Sequence, residues 1–196
     1  MSSSPSPSAP FGAANLPHSI DSPDMCRAGR DLLSLALIDA RNHTLHLLSL
    51  YEEALGSEAL AVPPVPEEEG VVPPVWLAGH IGWFAEWWIG RNTQRAFGID
   101  CPVRPTRLAA IEPSADDWWN PAQSSPGRRW SADLPYLGQT KAYLLETLES
   151  TLELLEHAAE TDAGLYFYRL ALFHEDLRGE QLVVMAQTMG LPLCIE

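Results

Sequence analysis

Apolar residues recur at helical spacing in four separate stretches of this 196-residue chain, and proline-rich segments fill the gaps between them. A period near 3.6 gathers such residues on one face of a helix, and that face must be buried against another element. No stretch reads convincingly as a strand. The first stretch opens at "DSPDM", where Ser22 is the predicted N-cap, Pro23 suits the first helical position and Asp24 complements the dipole. It runs to about Leu55, with Leu33, Leu37, Ala40, Thr44, Leu47 and Tyr51 on one stripe and Gly56 as the stop. The following "VPPVPEEEGVVPP" cannot be helical, because its prolines lack the N–H donor and restrict the residue before each of them.

Pro74 opens the second stretch, predicted to be helical to about Phe97, with Trp76, His80, Trp83, Phe84 and Trp87 on its apolar face. Residues 98–130 hold many prolines and turn formers, which predicts a connection longer than most in a compact domain. Trp118, Trp119 and Trp130 within it predict a loop packed onto the helices. The third helix is expected from about Leu134 to Glu160, on a stripe of Leu137, Leu144, Leu148, Leu152 and Leu155. Asp162 is placed to cap the fourth, which runs to about Met189 and ends at Gly190 and Pro192. Its predicted face carries Leu170, His174, Leu177, Gln181 and Val184. The expected fold is all-α, a four-helix bundle over residues 21–196 with a long loop between helices 2 and 3. Residues 1–20, rich in Ser, Pro and Ala, are expected to be a disordered tail.

Composition narrows the partners. With 26 acidic and 12 basic residues the net charge is −14, which argues against nucleic acid or an anionic membrane as the main partner. Three cysteines, Cys26, Cys101 and Cys194, are too few and too scattered for a disulfide framework and fit a reducing cytoplasm. The N-terminus lacks the pattern of a secretory signal, and no apolar run reaches the ~18 residues of a membrane span.

Chemistry-bearing side chains are few. His80 and His174 sit on apolar faces of separate helices, where a bundle builds metal and cofactor sites from facing side chains. Imidazole ligates zinc, iron and nickel; a satisfied core histidine is the plainer reading of either residue. "HEDLR" begins like His-Glu-x-x-His, but Arg178 stands at the second histidine position and cannot ligate. Glu180 and His43 are the candidate substitute ligands. Arg178 itself could hold a substrate carboxylate through two parallel hydrogen bonds, or pair with Glu175 three residues earlier. Trp83 and Trp87 could line an aromatic pocket for a cation, or serve as core anchors. His46 and His18 point to solvent or lie in the tail, and His157 complements a helix end. No Gly-rich phosphate loop, G-x-S-x-G elbow or Cys–His arrangement is present.

The segments "PPVWLAGHIGWFAEWWIGRN", "WWNPAQ…RRW" and "FYRLALFHEDLRGEQLVVMAQTMGLP" together resemble the DinB-like superfamily, and most closely the N-terminal domain of ergothioneine- and selenoneine-type sulfoxide synthases. The resemblance spans roughly residues 25–193 and is most specific at "LAGHIG" and "FHEDLRGE". It implies a four-helix bundle that binds a divalent metal through three histidines, non-haem iron in the synthases. By position, His80 matches the second-helix ligand and His174 the first ligand of the fourth-helix pair. The remaining ligand falls on Arg178, so the triad is incomplete here. The synthases also carry a large C-terminal domain that supplies part of the substrate pocket, and this chain is expected to lack it or to draw it from a partner chain.

Two functions follow as expectations. The first is a binding module for a small polar ligand, or an accessory protein, built on the family pocket with a lost or weakened metal site. The alternative is a metal-dependent enzyme, sulfoxide-synthase-like or a thiol transferase or hydrolase. It would hold Fe, Zn or Ni with a substitute ligand, or would rely on a partner chain. Family habit implies a homodimer.

Overall fold

The computed structural model describes residues 17–56, 71–124, 129–130 and 134–191. The expected tail up to residue 16, most of the proline-rich segment after Gly56, Pro192 and Cys194 lie outside these residues. Among the described residues all regular structure is helical, and one isolated bridge, Asn92 to Arg107, is the sole β-type pairing. The helices are α1 (Arg30–Leu55), α2 (Pro74–Ala85), α3 (Ala115–Trp119), α4 (Leu137–Glu156) and α5 (Asp162–Thr188). Two 3₁₀ segments, Pro23–Arg27 and Arg95–Asp100, and a π-helical turn, Glu86–Gly90, complete them. No helix is long and apolar enough to cross a membrane.

The four longest helices pack around a square. Helix α1 lies against α4 and α5, α2 lies against the same two, and the pairs α1/α2 and α4/α5 face each other across diagonals. Helix α2 is buried nearly all round, from Pro74 to Trp83. The stripe expected on α1 is buried at every one of its six positions. Gly56 closes α1 with φ 80°, and its N–H donates to the Glu52 carbonyl at 2.8 Å. A residue with a side chain is strained at that φ, so glycine stops the helix cheaply.

Several boundaries differ from the periodicity. Ser22 does act as a cap, accepting from the Asp24 N–H at 3.2 Å, but it caps the 3₁₀ turn rather than α1. The break follows at Ala28–Gly29, and a Cβ on Gly29 would sit 2.7 Å from a Glu160 carboxylate oxygen. The second helix does not run to Phe97. Its α-geometry ends at Ala85, and the Arg91 N–H reaches back five residues to the Glu86 carbonyl. This wider turn separates two neighbouring tryptophans: Trp87 continues the stack begun by Trp83, and Trp88 stacks on Phe167. The connection to α4 is not a plain loop, since it contains the second 3₁₀ segment and α3. Trp119 within α3 is fully buried, and Trp118 and Trp130 pack against the core. On α4 the buried residues are Leu137, Thr140, Tyr143, Leu144, Thr147, Thr151 and Leu155; Leu148 and Leu152 are half-buried against the core, and threonines share the deepest places. On α5 the cap is Thr161, whose hydroxyl accepts from the Gly164 N–H at 3.0 Å, not Asp162.

The core falls into two clusters. One gathers Leu47, Tyr51, Trp76, Ile81, Trp119, Leu144, Leu182 and Met185. The other gathers Leu33, Leu37, Ile89, Leu155, Leu165, Phe167, Tyr168 and Leu172. Between them lies a polar layer. Arg41 (2% exposed) donates to both Glu175 carboxylate oxygens, at 2.7 and 3.0 Å, and to the Leu144 carbonyl. Thr44 donates to Glu175 at 3.0 Å. The expected pairing of Glu175 with Arg178 is therefore wrong, because Glu175 points inward to Arg41. A buried ion pair persists only when its remaining hydrogen bonds are filled, as they are here.

Candidate functional site

The site forms where α2 and α5 meet, and two glycines of "LAGHIG" make it accessible to its neighbours. A Cβ on Gly79 would lie 2.0 Å from the Trp119 indole nitrogen, and one on Gly82 would lie 2.9 Å from the Tyr143 ring. Bare backbone at these positions lets α3 and α4 close directly onto α2. The approach of α3 brings the Trp119 carbonyl 3.0 Å from His80 Nδ1. A carbonyl only accepts, so Nδ1 carries the proton and Nε2 keeps its lone pair.

Residues 76, 80, 83 and 87 recur at helical spacing and build a ladder of rings. Trp76 stacks on His80 at 5.1 Å, His80 on Trp83 at 5.6 Å, and Trp83 on Trp87 at 5.1 Å between centroids. Guanidinium groups close both ends. Arg129 lies 4.2 Å over Trp76, and Arg107 lies 3.7 Å over Trp87, with Arg91 at 4.9 Å. Trp83 also donates to Asp116 at 2.8 Å, and Asp116 holds Arg91 in a two-pronged ion pair. The cations that meet this aromatic stripe thus come from the chain itself.

Helix α5 supplies His174, Arg178 and Gln181. The His174 ring lies 5.0 Å from the His80 ring at a steep angle and stacks on Phe84 at 3.7 Å. Arg178, one turn further along, donates through Nε to His174 Nε2 at 3.3 Å and through a terminal nitrogen to Gln181 at 2.9 Å. His174 Nε2 is therefore an acceptor and its proton sits on Nδ1, which is buried without a partner.

Both imidazoles are held neutral. Burial pushes His80 down to about 4, the charges of Arg178 and Arg129 act the same way, and the Trp119 carbonyl partly opposes them. Burial pushes His174 down to about 3, assisted by His80 and Arg178. Arg178 is itself lowered, first by burial and then by Arg129.

The other candidates lie apart from this pair. His43 is exposed beside Gly179 and lines a surface depression with Asp176 and Glu180. Glu180 is exposed and also borders a groove beside Arg178. His46 is exposed, and the His157 ring meets the Glu153 carbonyl at the end of α4. Among the described residues no three His, Cys, Asp or Glu side chains converge as a metal-holding group. The donor set at His80 and His174 does not fit a resident divalent cation. A guanidinium, which has no lone pair to give, caps one of the two imidazoles, and its positive charge opposes a second cation at close range by ~4 kcal/mol per unit charge at an effective dielectric near 20.

Sequence periodicity missed two participants. Arg129 lies in the long connection, where no period reports direction. The Trp119 carbonyl belongs to the backbone and has no signature in the side-chain pattern. The chain matches no protein-family model and no curated protein.

Proposed function

We propose that the four long helices form a DinB-like four-helix bundle whose metal position has been taken over by Arg178, and that the chain works as a small-ligand-binding or accessory module. The observation that carries this reading is the 3.3 Å contact from Arg178 Nε to His174 Nε2. The lone pair that would face a metal instead accepts a hydrogen bond from a fixed cation. The aromatic ladder, the two glycines of "LAGHIG" and the adjacent neutral imidazoles support the family reading of the pocket. The guanidinium argues against the three-histidine chemistry that the family implies.

In this reading the residues bind and orient. His80 is anchored by a backbone carbonyl, His174 is stacked against Phe84, and Arg178 presents N–H donors backed by a full positive charge, which neither neutral imidazole carries. Protein purified without chelator and then offered Fe, Zn, Ni and Mn is expected to retain below about a tenth of an equivalent of any of them, whereas a family-type site retains close to one. Stoichiometric metal that is lost in both His80→Ala and His174→Ala would establish the alternative, a metal-dependent enzyme with its third ligand drawn from elsewhere.

A further inference from the structure

Arg178 and Arg129 approach the His80–His174 pair, and no carboxylate of the described residues neutralises either of them. The three arginines that are under a tenth exposed are each matched by a carboxylate: Arg41 by Glu175, Arg91 by Asp116 and Arg169 by Asp162. The bonds of Arg178 go instead to two neutral acceptors, His174 and Gln181. Arg129 rests on the face of Trp76, and its Nε is buried with no hydrogen-bond partner. In a chain of net charge −14, carboxylates are plentiful, yet none among the described residues forms an ion pair with either guanidinium. Two partly buried guanidinium groups, with the Arg129 charge adding to burial in lowering Arg178, form an electrostatic sink for an anion.

The surroundings narrow the anion. From Arg178 a groove of about 420 Å³ runs along α5, lined by Val71, Leu177, Gln181, Val184 and Met185. Leu177 and Val184 are 55% and 59% exposed, although each belongs to the face that periodicity marks as apolar. Exposed aliphatic side chains next to an unmatched cation suit a molecule with one charged end and one apolar end. Glu180 also borders the groove, and its charge disfavours a ligand that carries a second negative group.

We propose that this site takes an organic monoanion, a carboxylate on an aliphatic tail, with its head between Arg178 and Arg129 and its tail in the groove beside Leu177 and Val184. A guanidinium binds a planar carboxylate through two parallel N–H···O bonds, which the point charge of a lysine does not reproduce. The inference rests on the binding-module reading above and specifies its ligand class.

Calorimetric titration of the full chain with octanoate, acetate, inorganic phosphate and octanol tests it. Octanoate is expected to bind at least about tenfold more tightly than acetate or octanol, because only octanoate satisfies both ends of the site. Arg178→Gln and Arg129→Gln should each weaken octanoate by about tenfold or more and leave octanol unchanged. Val184→Asp, at an exposed position where folding is not at stake, should erase the preference for octanoate over acetate. Equal affinities for octanoate and octanol, or undiminished octanoate binding in Arg178→Gln with its fold intact by circular dichroism, would overturn the proposal. Phosphate binding tighter than octanoate would overturn the ligand class. No binding of any of the four in a protein that also holds no metal sinks this inference alone. Metal held by His80 and His174 sinks the binding-module reading with it.

Discussion

Arg178 and Glu175 lie three residues apart on α5 and have opposite fates. Glu175 turns into the polar layer and neutralises Arg41, while Arg178 turns toward His174 and is left without an acid. Their roles should separate in experiment. Glu175→Ala leaves the Arg41 charge buried and unpaired, so it is expected to cost about 3–5 kcal/mol in urea unfolding; a loss under about 1 kcal/mol would mean that Arg41 finds another partner. Replacing both partners by apolar residues, Arg41→Met with Glu175→Leu, should restore most of that stability. Gly79 is the other decisive residue. A methyl group there meets the Trp119 indole, so Gly79→Ala should destabilise by about 1–3 kcal/mol and alter the tryptophan emission spectrum. Unchanged emission and stability would show that α3 is not seated against α2.

At the scale of elements, helical periodicity located four long helices but misjudged some of their phases and ends. The stripe of α1 was readable because aliphatic residues mark it almost completely. On α4 the inward places at Thr140, Thr147 and Thr151 are polar by composition yet buried, each hydroxyl donating to a carbonyl one turn back, Thr140 to Tyr136, Thr147 to Leu144 and Thr151 to Thr147. Hydrophobicity alone cannot see them. On α5 the inward residues near the middle are Glu175 and Gly179, neither of them apolar, so the stripe drawn through Leu177 and Val184 landed on an exposed face. His80 and His174 were nonetheless legible as a facing pair, since each stands among apolar residues where imidazole needs a reason. Arg129 was not, because it lies outside any periodic segment. The cap of α5 offers a direct check on the local reading. Thr161→Ala removes the acceptor for the Gly164 N–H and should cost about 1 kcal/mol, read as a lower melting temperature; Asp162→Ala should cost less.

For the molecule as a whole, burying two neutral histidines links folding to pH. Both histidines titrate near 6.5 when unfolded and near 4 and 3 when folded. The unfolded chain therefore takes up protons first as pH falls. The contribution is fully present above about 6.5 and is lost on descent, through about 4 for His80 and about 3 for His174, at up to about 1.4 kcal/mol per pH unit for each histidine. Asp176 acts in the opposite direction, because burial and its acidic neighbours Glu175, Glu180 and Asp39 push it up to about 6. Denaturation midpoints measured from pH 7 to 4 should fall more steeply in the natural chain than in His80→Gln/His174→Gln. Parallel slopes would mean that the imidazoles are solvated.

In the DinB-like reading proposed above, Arg178 takes the place of a metal ligand beside His174. Parallel zinc and ferrous iron titrations of the natural chain and of Arg178→His test it most directly. Weak or no binding is expected of the natural chain, and a gain of at least about a hundredfold in affinity for Arg178→His, since a third imidazole would replace a repelling charge. Tight binding by the natural chain, or no gain in the variant, would contradict it.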